Sequence, residues 1–141
     1  MKVFVDSNIF LRYLLKDDEK QFAQAEAWIE RARRGEWTLV VGPPVFFEIA
    51  WTLKCCKFKK EDIITALASL LATPNLTVSD REIAMEAVEM ARETGIDFSD
   101  CYVAASARYG GADCLVTFNR RHFIDLPVRL ASLDDGDDYA G

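Results

Sequence analysis

Residues 2–11 of the chain are Lys-Val-Phe-Val-Asp-Ser-Asn-Ile-Phe-Leu. The apolar run at their start predicts a short buried strand over 2–5. Asp6, Ser7 and Asn8 follow it, and all three are residue types that begin helices by satisfying free backbone N–H groups. The stretch therefore predicts a strand that leads directly into a helix, with Asp6 at the point where the strand ends.

The same alternation of strand and helix continues along the chain. Apolar residues recur at helical spacing between further strands, and Gly35, Gly95 and Gly110 stand where three of the helices should end. The further strands are predicted at Trp37–Val41, Leu76–Val78, Cys114–Thr117 and Val128–Leu130. This order predicts an α/β fold, with a mostly parallel sheet of four to five strands and helices on both of its faces.

Length and charge place most of the chain in one domain. A chain of 141 residues suits a single domain, which we expect to occupy residues 1–133. The net charge of −6 argues mildly against a general nucleic-acid binder. Four aspartates lie within residues 134–141, however, and the rest of the chain is near −2. We expect 134–141 to be an acidic, disordered tail.

The sequence indicates no membrane segment and no disulfide framework. Its apolar runs are too short to span a bilayer, and the N-terminus has no cleavable secretory pattern, so we expect a cytoplasmic protein without membrane contact. The four cysteines include no C-x-x-C pair and the only histidine is His122, which argues against structural zinc. A thiol nucleophile is a minor alternative, because only this histidine could act as its base.

Two acids stand out in the first half of the sequence. Asp6 ends the first strand, and ligands of open α/β sheets bind where strands end. Its alternative role is a helix N-cap. Glu48 lies within Val45–Trp51, with three apolar residues on either side, so we expect a partly buried carboxylate that needs an arginine, a metal or a raised pKa. Its alternative role is a favourable interaction with the helix dipole.

Three polar side chains in the second half follow the same pattern. Asp97 is the better N-cap candidate for the helix that follows it, and Asp100 lies in the first turn of that helix. Asn119 follows the fourth predicted strand, although a turn role would also suit it. Asp100 and Asn119, together with Asp6 and Glu48, place four oxygen-bearing side chains around one edge of the sheet. Oxygen ligands without His or Cys favour Mg²⁺ or Mn²⁺.

Four stretches together resemble the PIN domain, and in particular the VapC-type toxins of prokaryotic toxin–antitoxin pairs. They match in order and spacing up to about residue 130, although each alone is weakly specific. The stretches are Val5–Leu11, Pro44–Ile49, Phe98–Ala107 and Leu115–Asn119. The resemblance implies a PIN-like nuclease domain that cuts RNA phosphodiester bonds as a metal-dependent endoribonuclease. It also implies a cognate antitoxin as a partner.

The resemblance also implies roles for individual residues. Asp6, Glu48 and Asp100 are the expected catalytic metal ligands, and Asn8 and Thr117 are expected to support them through hydrogen bonds. At the fourth acidic position of the family this chain has Asn119, which keeps an oxygen but lacks the charge. Asn119 is therefore expected to be a weaker ligand, and binding of a second metal ion is in doubt.

The expected chemistry is hydrolysis in which the cation activates a water molecule and neutralises charge on the phosphoryl group. Basic side chains near the motifs could contact the RNA backbone, or simply form a solvated basic face. They are Arg12, Arg120, Arg121 and His122.

A homodimer is expected, partly from the resemblance and partly from one very apolar helix. A helix that is apolar nearly all round is either buried or an interface. The residues that suggest this are Phe46, Phe47, Trp51 and Leu53.

Two other functions fit parts of the pattern. One is a PIN fold whose site has decayed, so that it only binds RNA or protein, which the asparagine at 119 leaves open. The other is a phosphotransfer enzyme like the haloacid dehalogenases, which also has an aspartate at the end of its first strand. That class requires a second aspartate two residues later, where this chain has Asn8.

Overall fold

A computed structural model describes residues 1–133. The chain forms two compact units, Met1–Arg81 and Glu82 onward. Within the described residues, no helix is both long and apolar enough to cross a membrane. The acidic tail expected at 134–141 lies outside the described residues, and the single domain expected over 1–133 stays a prediction.

The first unit contains three strands, and its helices follow them in pairs. The elements are β1 (Lys2–Phe4), α1 (Ser7–Leu15), α2 (Glu19–Arg33), β2 (Thr38–Val41), α3 (Pro43–Cys55), α4 (Lys60–Leu71) and β3 (Leu76–Val78). The strands form one parallel sheet in the order β1-β2-β3. Lys2 pairs with Thr38 and Leu39 pairs with Leu76. Two helices lie in each connection between neighbouring strands, and they supply the long crossover that a parallel pair requires.

The core of the first unit lies around β2 and α3. Leu39 and Val41 of the central strand are fully buried. Helix α3 buries Phe46, Ile49 and Leu53, which recur at the three- and four-residue spacing that places side chains on one helix face. Helix α3 packs against α1 and α4, and it begins directly after the end of β2.

Three helices of the first unit end in a residue with left-handed backbone. After α2, Gly35 has φ of 81° and its N–H donates to the Ala32 carbonyl, so the helix ends near the predicted glycine. Lys16 and Lys57, which follow α1 and α3, have φ of 54° and 65°. This backbone conformation is less favourable for a residue with a Cβ than for glycine.

The second unit is mainly helical over the described residues. Its helices are α5 (Arg81–Thr94, beginning at the last residue of the first unit), α6 (Phe98–Tyr109) and α7 (Arg120–Phe123). Helix α5 ends at Gly95 as predicted, and α6 ends at Gly110. Helix α6 buries Phe98, Cys101 and Tyr102, together with its alanines. The short α7 was not predicted, because four residues are too few to show helical periodicity.

The α/β class is confirmed, but the predicted number of strands was wrong. Within residues 1–133 the sheet has three strands, not four to five. The fourth and fifth predicted strands meet only at an isolated parallel bridge between Leu115 and Leu130. Leu115 donates its N–H to Arg129 and accepts from the N–H of Ala131. Leu115 thus uses both of its backbone groups in this pairing. The next residue, Val116, is 65% exposed, and the pairing does not extend into a ladder of several residues.

Candidate active site

Asp6 lies where the sequence predicted it, between β1 and α1. Its backbone is extended, and its carbonyl accepts a hydrogen bond from the N–H of Ile9. It thus occupies the N-cap position, but its side chain forms no capping hydrogen bond. The residue is exposed, and within residues 1–133 its carboxylate forms no hydrogen bond or salt bridge. The carboxylate is therefore available for a ligand.

Glu48 differs from the prediction in its burial. We expected a partly buried residue, but Glu48 is exposed. The apolar run around it contains more apolar residues than the buried face of α3 needs, and Glu48 shares the outer face with Trp51, three residues later. Its carboxylate nevertheless has a specific partner, because its Oε2 accepts a hydrogen bond from the Ser7 hydroxyl.

Ser7 was not predicted to take part in the site. It is the first residue of α1, and its side chain is buried. The hydrogen bond to Glu48 joins α1 to α3 across 41 positions of sequence. A signal was available: Ser7 precedes the buried Phe10 by three residues and so shares its helix face. A serine on that inner face needs a hydrogen-bond partner.

The acids of the second unit lie at the start of α6. Asp97 occupies the N-cap position as expected, although its side chain forms no capping hydrogen bond. Asp100 lies in the first turn and is half-buried. One of its carboxylate oxygens is 3.4 Å from Nδ1 of His122 on α7. Asp100 and His122 are thus brought together within this unit, which the sequence did not predict.

Thr117 and Asn119 form a local turn before α7. The Thr117 Oγ1 accepts a hydrogen bond from the Asn119 N–H at 3.0 Å. Asn119 is the N-cap residue of α7, and its carbonyl accepts from the N–H of His122, but its side chain does not cap the helix. The Asn119 side chain is exposed, so Thr117 supports the backbone of this turn while the asparagine amide faces solvent.

The basic residues expected near RNA differ in how they are engaged. Arg12 forms a salt bridge with Asp17 at 2.7 Å. Arg120 donates to the Ala131 carbonyl at 2.6 Å and so closes the loop that carries α7. Arg121 is exposed and forms no hydrogen bond or salt bridge in the described part of the chain. Asn8, the expected supporting residue beside Ser7, is exposed as well.

The cysteines do not suggest a thiol nucleophile. Cys101 is fully buried, and burial raises the pKa of its thiol to about 11, with the nearby Asp100 and Asp97 acting in the same direction. The thiolate, which is the reactive form, is therefore strongly disfavoured. Cys55 and Cys56 are exposed, at the end of α3. No cysteine of residues 1–133 forms a pair with a histidine that would activate it.

The donor atoms suit a hard divalent cation, but they are not assembled into one cluster. Among the described residues there is no group of three or more His, Cys, Asp or Glu side chains that could hold a metal ion. Asp6 and Glu48 belong to the first unit and Asp100 to the second. Carboxylate and amide oxygens without sulfur ligands are nevertheless the set that Mg²⁺ and Mn²⁺ prefer.

The solved structures similar to this chain include the following two. One is VapBC2 from Rickettsia felis bound to a DNA fragment from their promoter, with 20% identity over 90% of this chain and 94% of that chain, and a TM-score of 0.37. The other is a toxin–antitoxin complex from Klebsiella pneumoniae, with 19% identity over 89% of this chain and 92% of that chain, and a TM-score of 0.35. No curated protein matches the chain.

A family model gives a broader match. The model of the PIN domain matches residues 3–128, which include all four stretches that suggested the resemblance. The match extends over Asp6, Glu48, Asp100 and Asn119, and over both compact units. It leaves the haloacid dehalogenase alternative without support. The chain therefore belongs to the PIN domain family.

Proposed function

We propose that this protein is a metal-dependent endoribonuclease and the toxin of a toxin–antitoxin pair. PIN domains are generally nucleases, and the family model spans most of the chain. The observation that carries the proposal is the link between the first two predicted ligands. Asp6 has an uncommitted carboxylate, and the next residue, Ser7, holds the carboxylate of Glu48.

The proposed metal ligands are Asp6, Glu48 and Asp100, with Asn119 as a weaker fourth. The assignment rests on the chemistry of the donors and on their order in the matched stretches, rather than on an assembled cluster. Mg²⁺ or Mn²⁺ bound by these oxygens would activate water and neutralise charge on the phosphodiester. Asn8, Asp97 and Thr117 support the ligands, Thr117 by fixing the turn that carries Asn119.

The chain's own basic groups would bind the RNA backbone. Arg121 is exposed and without a partner in the described residues, so its guanidinium can contact a phosphate at no cost in lost interactions. His122 lies beside Asp100 and would place a donor next to the scissile phosphate. Arg12 and Arg120 contribute less, because each is already bonded within the protein.

A homodimer and an antitoxin partner are part of the same proposal. The antitoxin follows from the resemblance of the motifs to VapC-type toxins. Phe46 and Leu53 no longer support a dimer interface, because both are buried within the first unit. Phe47 is partly exposed and Trp51 is 66% exposed, so these two residues of α3 still support an interface. A cytoplasmic location suits a ribonuclease whose substrate is cellular RNA.

The test is cation-dependent cleavage of RNA by the purified protein. We expect cleavage of a labelled single-stranded RNA with Mn²⁺ or Mg²⁺, loss of cleavage on adding EDTA, and recovery with excess Mn²⁺. The variant Glu48→Gln, assayed under the same conditions, excludes a contaminating nuclease. RNA binding without cleavage by the Mn²⁺-loaded protein would instead indicate a PIN domain that only binds.

Light scattering tests the dimer separately. The wild-type protein should be dimeric at micromolar concentration, and Trp51→Glu should shift it to a monomer because the substitution places a charge in the interface. Phe58→Glu, which alters another partly exposed aromatic residue of the same unit, is the matched control. A monomeric wild-type protein would remove the dimer from the proposal.

A further inference from the structure

The Ser7 hydroxyl is used in a way that its position in a helix does not require. A serine at a helix start usually satisfies a nearby backbone N–H. Here Asp6 takes the N-cap position, and Ser7 points into the first unit, where it is buried. Its hydroxyl donates to Glu48 on α3. The hydroxyl therefore serves a carboxylate on another helix rather than its own backbone.

A hydroxyl is a suitable group for holding a metal ligand. It is neutral, so it fixes the orientation of the carboxylate without cancelling the negative charge that attracts a cation. The Ser7 hydroxyl donates to Oε2 of Glu48 and not to Oε1, which leaves Oε1 free to bind a ligand. A lysine or arginine in the same place would neutralise Glu48 and compete with the cation.

The support for this hydrogen bond comes from the core. Ser7 lies on the same face of α1 as Phe10, and Glu48 is next to Ile49 on α3, and both of these apolar residues are fully buried. Packing thus fixes the two helices. The hydroxyl of the buried Ser7 therefore holds the exposed Glu48 carboxylate in a defined position. Without the hydroxyl, the three side-chain torsions of an exposed glutamate would be free to vary.

We infer that Ser7 is a positioning residue, which orients the Glu48 carboxylate for a divalent cation. This inference rests on the proposed function, since it assigns Ser7 a part in the same site. Residues that orient metal ligands through hydrogen bonds commonly affect metal affinity by about 10- to 100-fold. Asp6 and Ser7 are adjacent, so the start of α1 would supply one ligand and orient another.

The experiment is a titration of Mn²⁺ into the wild-type protein and Ser7→Ala by calorimetry, with RNA cleavage measured in parallel. We expect Ser7→Ala to bind Mn²⁺ about 10-fold more weakly and to cleave RNA correspondingly more slowly. Ser69→Ala is the matched control, because Ser69 is an exposed helical serine of the same unit whose hydroxyl donates to the carbonyl of Thr65. Its Mn²⁺ affinity should equal that of the wild type.

A double-mutant cycle separates positioning from a structural role. In a Glu48→Gln background, Ser7→Ala should lower Mn²⁺ affinity less than about twofold, because the residue through which it acts has already been changed. Ser7→Thr, which keeps the hydroxyl, should restore much of the affinity of Ser7→Ala. A lower melting temperature for Ser7→Ala with unchanged Mn²⁺ affinity would overturn the inference and leave the proposed function intact.

The remaining outcomes are also decisive. Equal losses on Ser7→Ala in the wild-type and Glu48→Gln backgrounds would show that Ser7 does not act through Glu48, and the inference would fail. A wild-type protein that binds no Mn²⁺ would overturn both the metal site of the proposed function and the role of Ser7.

Discussion

Glu48 in the first unit and Asp100 in the second are both proposed metal ligands on helices, but their neighbours differ in kind. Glu48 is bonded to a buried, neutral hydroxyl on another helix. Asp100 lies 3.4 Å from His122, whose side chain is 53% exposed. A contact with an exposed, titratable group is weak and is screened by salt. The first unit therefore fixes its ligand by packing, while the position of the second depends more on what binds there.

The largest expected effect concerns two of the proposed charged ligands, Asp6 and Asp100. Asp6→Asn or Asp100→Asn should reduce RNA cleavage about 10³-fold or more, because each removes a charge that would hold the cation. The metal-free variants should melt within a few degrees of the wild type, since Asp6 has no partner in the described residues and Asp100 has only a weak one. Asp125→Asn, at another exposed aspartate, is the control. Undiminished cleavage by either site variant would remove that residue from the ligand set.

A second test asks whether the helix that carries Asp100 is itself loosely held. Cys101 is buried beside Asp100, and the pKa of its thiol is raised from 9.0 to about 11. In the metal-free folded protein it should react with iodoacetamide about 100-fold more slowly than Cys55 and Cys56, which are exposed. The rate should rise as pH approaches 11, because more thiolate forms. Peptide mass mapping that shows equally fast labelling at neutral pH would mean that α6 opens readily.

The substitution Asn119→Asp adds a negative charge at the proposed fourth ligand, which lies in the second unit. Asn119→Asp should tighten Mn²⁺ binding, since unit charges a few ångströms apart attract by about 4 kcal/mol at an effective dielectric near 20. With most of this attraction screened, a gain of about 10-fold is expected, and the added charge favours binding of a second ion. If the residue only forms a turn, aspartate should substitute silently, because both residues suit turns. Calorimetry with identical affinity and stoichiometry for both proteins would place Asn119 outside the site.

His122 provides the direct comparison with Ser7. Because its contact with Asp100 is exposed, His122→Gln should change Mn²⁺ affinity less than about threefold, against about 10-fold for Ser7→Ala. It should raise KM for RNA, since the imidazole is proposed to contact the substrate. A loss of Mn²⁺ affinity as large as that of Ser7→Ala would show that Asp100 is held as firmly as Glu48.

The smallest expected effect concerns the free energy of unfolding, tested at residues with left-handed backbone. Lys57→Gly should raise the free energy of unfolding by about 0.5–1 kcal/mol, because glycine adopts the φ of 65° without strain. Gly95→Ala, at φ of 73° after α5, should lower it by a similar amount. Mn²⁺ affinity should stay constant in both variants, as measured by calorimetry beside urea unfolding. A change in affinity with Lys57→Gly would link the orientation of Glu48 to global stability rather than to local packing.

Periodicity and turn residues predicted most of the first unit. The three strands of the sheet lie within one residue of their predicted bounds, and α2 ends by Gly35. The same signals wrongly predicted a strand at Cys114–Thr117, because a short apolar run does not determine how many of its residues pair with another strand. Pairing stops at the single bridge of Leu115, and α7 fills the loop that follows.

The position of the acids could be predicted better than their surroundings. Asp6 and Asp100 stand at the helix starts that the sequence indicated. The exposure of Glu48 could not be predicted, because the composition of an apolar helix does not determine which of its faces is buried. The bond between Ser7 and Glu48 joins residues 41 positions apart, and such a contact depends on how two helices pack. Local sequence carries little information about it.

The two lysines with left-handed backbone, Lys16 and Lys57, have a practical consequence for work on this protein. Natural proteins rarely reach their maximum stability, and substitution by glycine at these two positions should raise the free energy of unfolding. Combining Lys16→Gly with Lys57→Gly would give a more robust background in which harmful substitutions stay above the threshold for folding. Ligand variants could then be compared as soluble, native proteins, and a loss of catalysis could be told apart from a loss of expression.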